Sequence, residues 1–326
     1  MENRPFVTAA QVASCIQAEV VGNSDERIYG IALLRDSTPE DLTYMNLHQL
    51  RKDIEDVKAR VILIPPAIAL PRNRTFIMTC RAIPEVLDSV TELMIEQGMY
   101  ERHTAKLPQI AESADIAESA VIGNGSIIGA DAVIQSGVVI GENVKIGRSS
   151  IIKANSVICS GTIIGNHTSI GCGSVIGDDS FEYAQTIEGW KKIRNVGHVE
   201  IGDDVIIGAN VTIDRGTIGV TRIGNATQIG NLVQIAHEVR IGAHCHIVSH
   251  TAFAGWCEIG DYVDVYGQAA FANHVKVGDH AVVYARAGVT KDVPDYGSIS
   301  GYPAISHMKH MKMQARLRKL LSDERS

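Results

Sequence analysis

An isoleucine returns every six residues, without a break, from Ile110 through Ile116, Ile122, Ile128, Ile134, Ile140, Ile146, Ile152, Ile158, Ile164 and Ile170 to Ile176. A helix of 3.6 residues per turn does not put such positions on one face. Ordinary strand alternation has a period of two and leaves the frame unexplained. What fits is a short strand with its branched residue inward, followed by a turn where Gly, Ala or Asn takes the tight backbone. One such unit buries too little to stand alone, so stacked neighbours must supply the core. The frame resumes at Ile201, Ile207 and Ile213. It then runs from Ile223 through Ile229, Ile235, Ile241, Ile247, Phe253, Ile259, Val265, Phe271, Val277 and Val283 to Val289.

The pattern resembles the hexapeptide-repeat, left-handed parallel β-helix, in which three hexads form one triangular coil. The expected fold class is therefore mainly β, with a small N-terminal α/β domain and a C-terminal helix. Aromatic residues make up only 5% of the chain and glycines number 30, which suits a thin repetitive core. The net charge of −7 argues against a general binder of nucleic-acid backbones. None of the six cysteines forms a CxxC pair, so reduced thiols are expected. The N-terminal MENRPFVTAAQVAS has no apolar signal region and no apolar run is long enough to span a bilayer, so a cytoplasmic protein is expected.

Residues 1–105 do not keep the beat. Here VTAAQVASCIQ predicts an amphipathic helix, AEVVGN a strand entering a turn, and ARVILIPPAI a buried strand. AIPEVLDSVTELMIEQ predicts a second helix with a proline start signal. The expected division is 1–105 for a uridine-binding-like α/β domain, 106–300 for the β-helix and 301–326 for a basic helix. That helix either caps the coil or docks an acidic partner. Two interruptions break the repeat. The first, between Ile176 and Ile201, concentrates Phe181, Tyr183, Trp190, Lys191 and Lys192 in an aromatic-poor chain; the second is DRGTIGVTR before Ile223. Insertions in a solenoid emerge as loops, and loops carry function more often than coils.

Of twelve histidines, most must be ordinary surface residues. His244 and His246 come nearest to a metal pair, but no Cys or carboxylate joins them at a convincing spacing, and no metal is expected. His237 and His274 fall in hexads beginning at 235 and 271, six hexads apart and so on one side of the prism. His250, two hexads after 235, falls on another side. A neutral imidazole titrates near ~6.5 and can take a proton from an incoming amine or hydroxyl. As a turn residue, His237 is expected to support little core.

The order of motifs carries a further resemblance. SFEYA, GWKKI and GHVEIGD are followed by TIDRG, by IGN with QIAH, by AG at 254–255, by NHVKVGD and by GYPA before a basic helix. This closely resembles the UDP-3-O-(3-hydroxyacyl)glucosamine N-acyltransferases of lipid A biosynthesis over nearly the whole chain. The resemblance implies a homotrimer with sites between adjacent β-helices. Its donor is an acyl chain on the phosphopantetheine thioester of acyl carrier protein, its acceptor is the amine of a UDP-sugar, and no bound cofactor is needed. It implies that His237 is the base, His274 the second active-site histidine, and Gly255 the donor of an N–H to the thioester oxyanion. Tyr44 is expected to stack on uracil and Asn46 to bond it. Phe181, Tyr183, Asn231, Gln234 and Trp256 would complete the substrate contacts, the Trp256 ring reshaping the acyl groove. Three positions depart from the family pattern: Glu182 stands where Gly is usual, Gly230 where Asp is usual, and Glu238 where Asn is usual. Two other readings remain open at this level: an acyl- or acetyl-CoA-dependent transferase acting on another nucleotide sugar, and a non-catalytic β-helix.

Overall fold

The computed structural model describes residues 4–45, 54–67, 70–71, 73–100, 104–186, 189–301 and 306–323. From Gln109 onward the chain winds as a parallel β-solenoid. Its flat sides are three sheets of nine, nine and ten strands among the described residues. Most strands are only two residues long, and each pairs with the strand eighteen residues on, as in Ile128 with Ile146 and Ile235 with Phe253. Three hexads therefore make one coil. From Ile128 onward the beat residues point inward and form one continuous core that reaches Val293, while Ile110 at the open end is exposed.

Where the column changes from isoleucine to phenylalanine, Phe253 and Phe271 stack with ring centroids 4.5 Å apart. Phe253 is fully enclosed, and no neighbouring coil can collapse into the space of a lost ring. Phe253→Ala is expected to destabilise the chain by ~3–5 kcal/mol, read as a lowered midpoint in chemical denaturation.

Each coil turns its corners through residues in the left-handed backbone region, which Gly and Asn adopt most cheaply. The corner after the sheet containing Gln234–Ile235 uses Gly125, Asn143 and Gly161 in the early coils. The same corner later holds Glu238 (φ 54°), Trp256 (φ 68°) and His274 (φ 65°). Large side chains in this conformation cost roughly 1–2 kcal/mol each, and the other two corners carry them as well, as at His250 and Tyr262. Both interruptions of the repeat also leave the solenoid from this corner. The first contains an antiparallel hairpin pairing Tyr183 with Lys192 and Gln185 with Trp190.

The N-terminal segment packs a five-stranded sheet beneath two helices, α1 (Ala9–Ile16) and α2 (Ile83–Glu96). The sheet order places Glu19–Val21 at one edge, then Thr75–Met78, Val61–Ile64, Asp41–Tyr44 and Gly30–Ile31. A capping box between Thr8 and Gln11 starts α1. Val61–Ile64 is fully buried, as its uninterrupted apolar run predicts. The edge strand Gly30–Ile31, the strand Asp41–Tyr44 and the strand Thr75–Met78 were not legible in the periodicity. The last helix, α3 (His307–Asp323), follows the solenoid.

Two sets of contacts fix the N-terminal segment over the corner. Leu33 and Ile218 share one apolar core, with Trp256 and Tyr44 packed against it. Arg35 pairs with Glu258, and Arg240 with Asp36. Farther along, the wholly buried Asp88 of α2 holds Lys191 at 2.8 Å and Arg194 at 3.1 Å. Burial alone would raise the Asp88 carboxyl, but these cations and the Arg194 N–H hold it below its usual value. The insertion is thus clamped to α2, not left loose.

Candidate active site

His237 follows the strand Gln234–Ile235, inside the corner where Glu238, Trp256 and His274 line up. It is 6% exposed, so this turn residue is a buried side chain and not the lightly packed imidazole that the sequence suggests. Glu238 lies beneath it, wholly buried, with Oε2 2.5 Å from His237 Nδ1. The other oxygen, Oε1, accepts the backbone N–H groups of Ile218 at 3.2 Å and Gly219 at 3.1 Å. A Cβ on Gly219 would meet Leu33 at 2.7 Å and Glu238 Cγ at 3.2 Å, so a side chain there would press on both. The insertion that lengthens this coil by four residues thereby supplies the two donors that anchor the carboxylate. A carboxylate fixed in this way sets the tautomer and orientation of the imidazole.

The second ring nitrogen, Nε2, lies 3.0 Å from Glu182 Oε2, contributed by the first insertion. Burial alone would depress the imidazolium, but hydrogen bonds and charge from Glu182 and Glu238 outweigh it and raise His237 to about 9. Gly255 closes over the ring. A Cβ at that position would sit 2.7 Å from both Cε1 and Nε2 of His237. The Gly255 N–H makes no backbone hydrogen bond among the described residues, while its carbonyl accepts from His274. The Gly255 backbone thus packs against the ring and carries an N–H free of backbone partners among the described residues, the kind of donor that oxyanion stabilisation uses.

The other expected site residues divide. Trp256 stands between the two histidines: its ring is edge-on to His237 at 6.2 Å and stacked on His274 at 5.7 Å. His237 and His274 share the corner but do not touch, and His274 is exposed. Trp256 also lines a cavity of about 420 Å³ with Leu33, Leu34, Tyr44, Asp56 and Val57. Tyr44 is close enough to the site that burial, followed by the charges of Glu238 and Glu182, pushes its phenol up to about 12. Gln234 bonds Thr212 and, at 3.1 Å, Asp214 of TIDRG. Burial raises the Asp214 carboxyl, against the Gln234 bond and the nearby His237 charge. Tyr183 and Phe181 pack ring to ring at 4.9 Å, with Phe181 86% exposed.

Two of the expected residues are not brought to this corner within the described chain. Asn231 belongs to a different corner, where its side-chain oxygen accepts the Ala209 N–H at 2.8 Å. It is a rung of the turn ladder, pairing an N–H of the coil below. Asn46 lies outside the described residues. His250 also sits at that other corner, with φ 64°. His244 stacks on Tyr262 at 4.7 Å at the third corner. Among the described residues, no group of three or more His, Cys, Asp or Glu side chains could hold a metal ion. None of their helices is long and apolar enough to cross a membrane.

Glu238 and Glu182 were seen in the sequence only as departures from a pattern. Their roles come from contacts that no spacing encodes. The large left-handed residues at 238, 256 and 274 do not single this corner out, since Leu232, His250, Tyr262 and His280 adopt the same backbone region at the other two.

The family model "Bacterial transferase hexapeptide (six repeats)" matches residues 119–154 and 221–255. A UDP-3-O-acylglucosamine N-acyltransferase of Anaeromyxobacter sp. (strain Fw109-5) is 36% identical over 96% of this chain and 92% of its own length. UDP-3-O-acylglucosamine N-acyltransferase 1 of Gloeobacter violaceus is 50% identical over 42% of this chain and 39% of its own. Among solved structures, a Francisella novicida UDP-N-acetylglucosamine acyltransferase aligns over 63% of this chain and 73% of its own, with 31% identity and a TM-score of 0.47.

Proposed function

The chain belongs to the UDP-3-O-acylglucosamine N-acyltransferase family, and from that premise we propose that it moves an acyl chain from acyl carrier protein to the amine of a UDP-3-O-acylglucosamine. The observation that carries this reading is the buried His237 imidazole, held at Nδ1 by Glu238 and packed against Gly255. The amine nitrogen attacks the thioester carbonyl and passes a proton to His237 Nε2, while Glu238 steadies the imidazolium at Nδ1. The carbonyl electron pair moves onto oxygen, where the Gly255 N–H meets it. Collapse of the tetrahedral intermediate breaks the C–S bond, and His237 returns the proton to the departing thiolate. His274, stacked on Trp256, borders the route of one substrate.

The acceptor's uridine fits the cavity between the N-terminal sheet and Trp256, with Tyr44 as its stacking surface. Stacking of a base on an aromatic ring is worth ~1–3 kcal/mol. Tyr44→Ala is therefore expected to raise KM for the UDP-sugar ~10-fold while changing kcat little. An equal loss with a non-uridine acceptor would assign Tyr44 to structure. A homotrimer is part of the proposal, since one corner is an open half-site without a neighbour.

A panel assay tests the function. Acyl carrier protein and CoA thioesters are each offered with UDP-3-O-acylglucosamine and with the same sugar lacking the amine. The expected outcome is an amide product that needs both the carrier-protein donor and the free amine. Turnover with CoA donors alone, or on an acceptor without an amine, would overturn it.

A further inference from the structure

We propose that Glu182 is the docking carboxylate for the acceptor's ammonium group, and that it leaves His237 to hold that group when the amino sugar enters. The inference rests on the corner being an N-acylation site. Glu182 Oε2 lies 3.0 Å from His237 Nε2, the one ring nitrogen that Glu238 leaves over. It therefore fills the position that a nucleophile's N–H must occupy to hand its proton to Nε2. A substrate amine and the Glu182 carboxylate cannot both be there.

The two carboxylates on His237 are held very differently. Glu238 is wholly buried and pinned by two backbone N–H groups. Glu182 keeps 32% of its side chain exposed and comes from the insertion, between the exposed rings of Phe181 and Tyr183. Its only ion-pair partner among the described residues is His237. One carboxylate can swing and the other cannot.

The electrostatics favour a cationic guest. Three carboxylates from three elements face or adjoin the imidazole: Glu182 from the first insertion, Glu238 from the corner, and Asp214 from the strand Thr212–Asp214. Tyr44 faces the same basin from the N-terminal sheet as a neutral phenol. The nearby cation Arg35 is engaged with Glu258, and His274 lies beyond Trp256. A single imidazolium leaves this basin short of positive charge, and low local dielectric strengthens the pull on an ammonium.

The same exchange makes His237 competent as a base. While Glu182 rests on Nε2 the ring is held as an imidazolium, which cannot accept a proton. Once Glu182 turns to the ammonium, the ring loses a counter-charge and releases its Nε2 proton to water. The ammonium gives one proton to solvent through Glu182, leaving an amine with its lone pair. As the C–N bond forms, the second proton passes to Nε2, and it reaches the thiolate sulfur when the C–S bond breaks.

Glu182→Gln and Glu182→Gly, in the full chain, test this, the first keeping the side chain's shape and the second removing it. With acyl carrier protein donor and UDP-3-O-acylglucosamine, both variants are expected to raise KM for the amino sugar ~10-fold or more with a smaller change in kcat. The limb of kcat/KM that reports free His237 should move to lower pH by about one unit or more. A merely structural glutamate would not move that limb. Unchanged KM and an unchanged limb in both variants would overturn the proposal. A wild-type chain with no turnover would instead count against the N-acylation reading. The second arm, free of any donor, is a histidine NMR titration of the wild-type chain. UDP-glucosamine is expected to lower the His237 midpoint and UDP-N-acetylglucosamine, which lacks the free amine, to leave it in place. Equal effects of the two sugars would overturn the role of Glu182.

Discussion

His237→Ala is expected to lower kcat by ~10²–10⁴-fold, the usual cost of removing a general base. The argument is geometric before it is electrostatic. The ring is enclosed by Glu238 at Nδ1, Glu182 at Nε2, Gly255 above and Trp256 at its edge. No other described histidine is held in this way. A turn imidazole was expected to support little core, so that the variant would melt like the wild type. Burial changes that expectation: alanine leaves Glu238 enclosed without its cationic partner, which costs stability as well as activity. His237→Gln separates the two effects, because its amide can donate to Glu238 but cannot act as a base. Kinetics are therefore to be compared well below the melting temperature of each variant. A glutamine variant that retains wild-type kcat would remove His237 from the chemistry.

Gly255→Ala is the second large effect, and it needs only one methyl group. That carbon would stand 2.7 Å from Cε1 and Nε2 of His237, closer than real Cβ contacts permit. The imidazole cannot retreat freely, since the buried Glu238 holds it at Nδ1. Either the ring or the Gly255 backbone must shift, and each shift separates the base from the oxyanion donor. A displacement of about 1 Å in such an arrangement costs ~10²-fold in rate. The expected result is a drop of that size in kcat, with the solenoid intact. An unchanged kcat would mean that the ring yields without consequence, and that Gly255 does not set the reacting geometry.

The repeat made the solenoid legible because one physical constraint, an inward branched residue on every short strand, recurs in fixed register. Phe253, Phe271 and Val265 could replace isoleucine without disguising it. The N-terminal sheet was only partly legible. Its central strand is buried on both faces and reads as an apolar run, whereas Gly30–Ile31 is too short to show any period. The site was legible as far as its corner: counting hexads put His237 and His274 on one side and His250 on another. The partners of His237 were not. Glu238 is a ligand of the ring only because an insertion from 214 to 220 offers it two N–H groups, and Glu182 only because α2 clamps the hairpin through Asp88. Asn231 shares its neighbourhood in sequence with QIAH, while one more strand carries the chain to a different corner, so adjacency in sequence is not adjacency within the coil.

The most direct test compares His237→Ala and His250→Ala in a single-turnover assay. Enzyme is held in excess over acyl carrier protein thioester and UDP-3-O-acylglucosamine, and the amide is followed by mass spectrometry. With both variants folded, amide formation should slow by ~10²–10⁴-fold without the His237 base and proceed at the wild-type rate without His250. Equal damage from the two substitutions, or undiminished amide formation by His237→Ala, would contradict the assignment of chemistry to this corner.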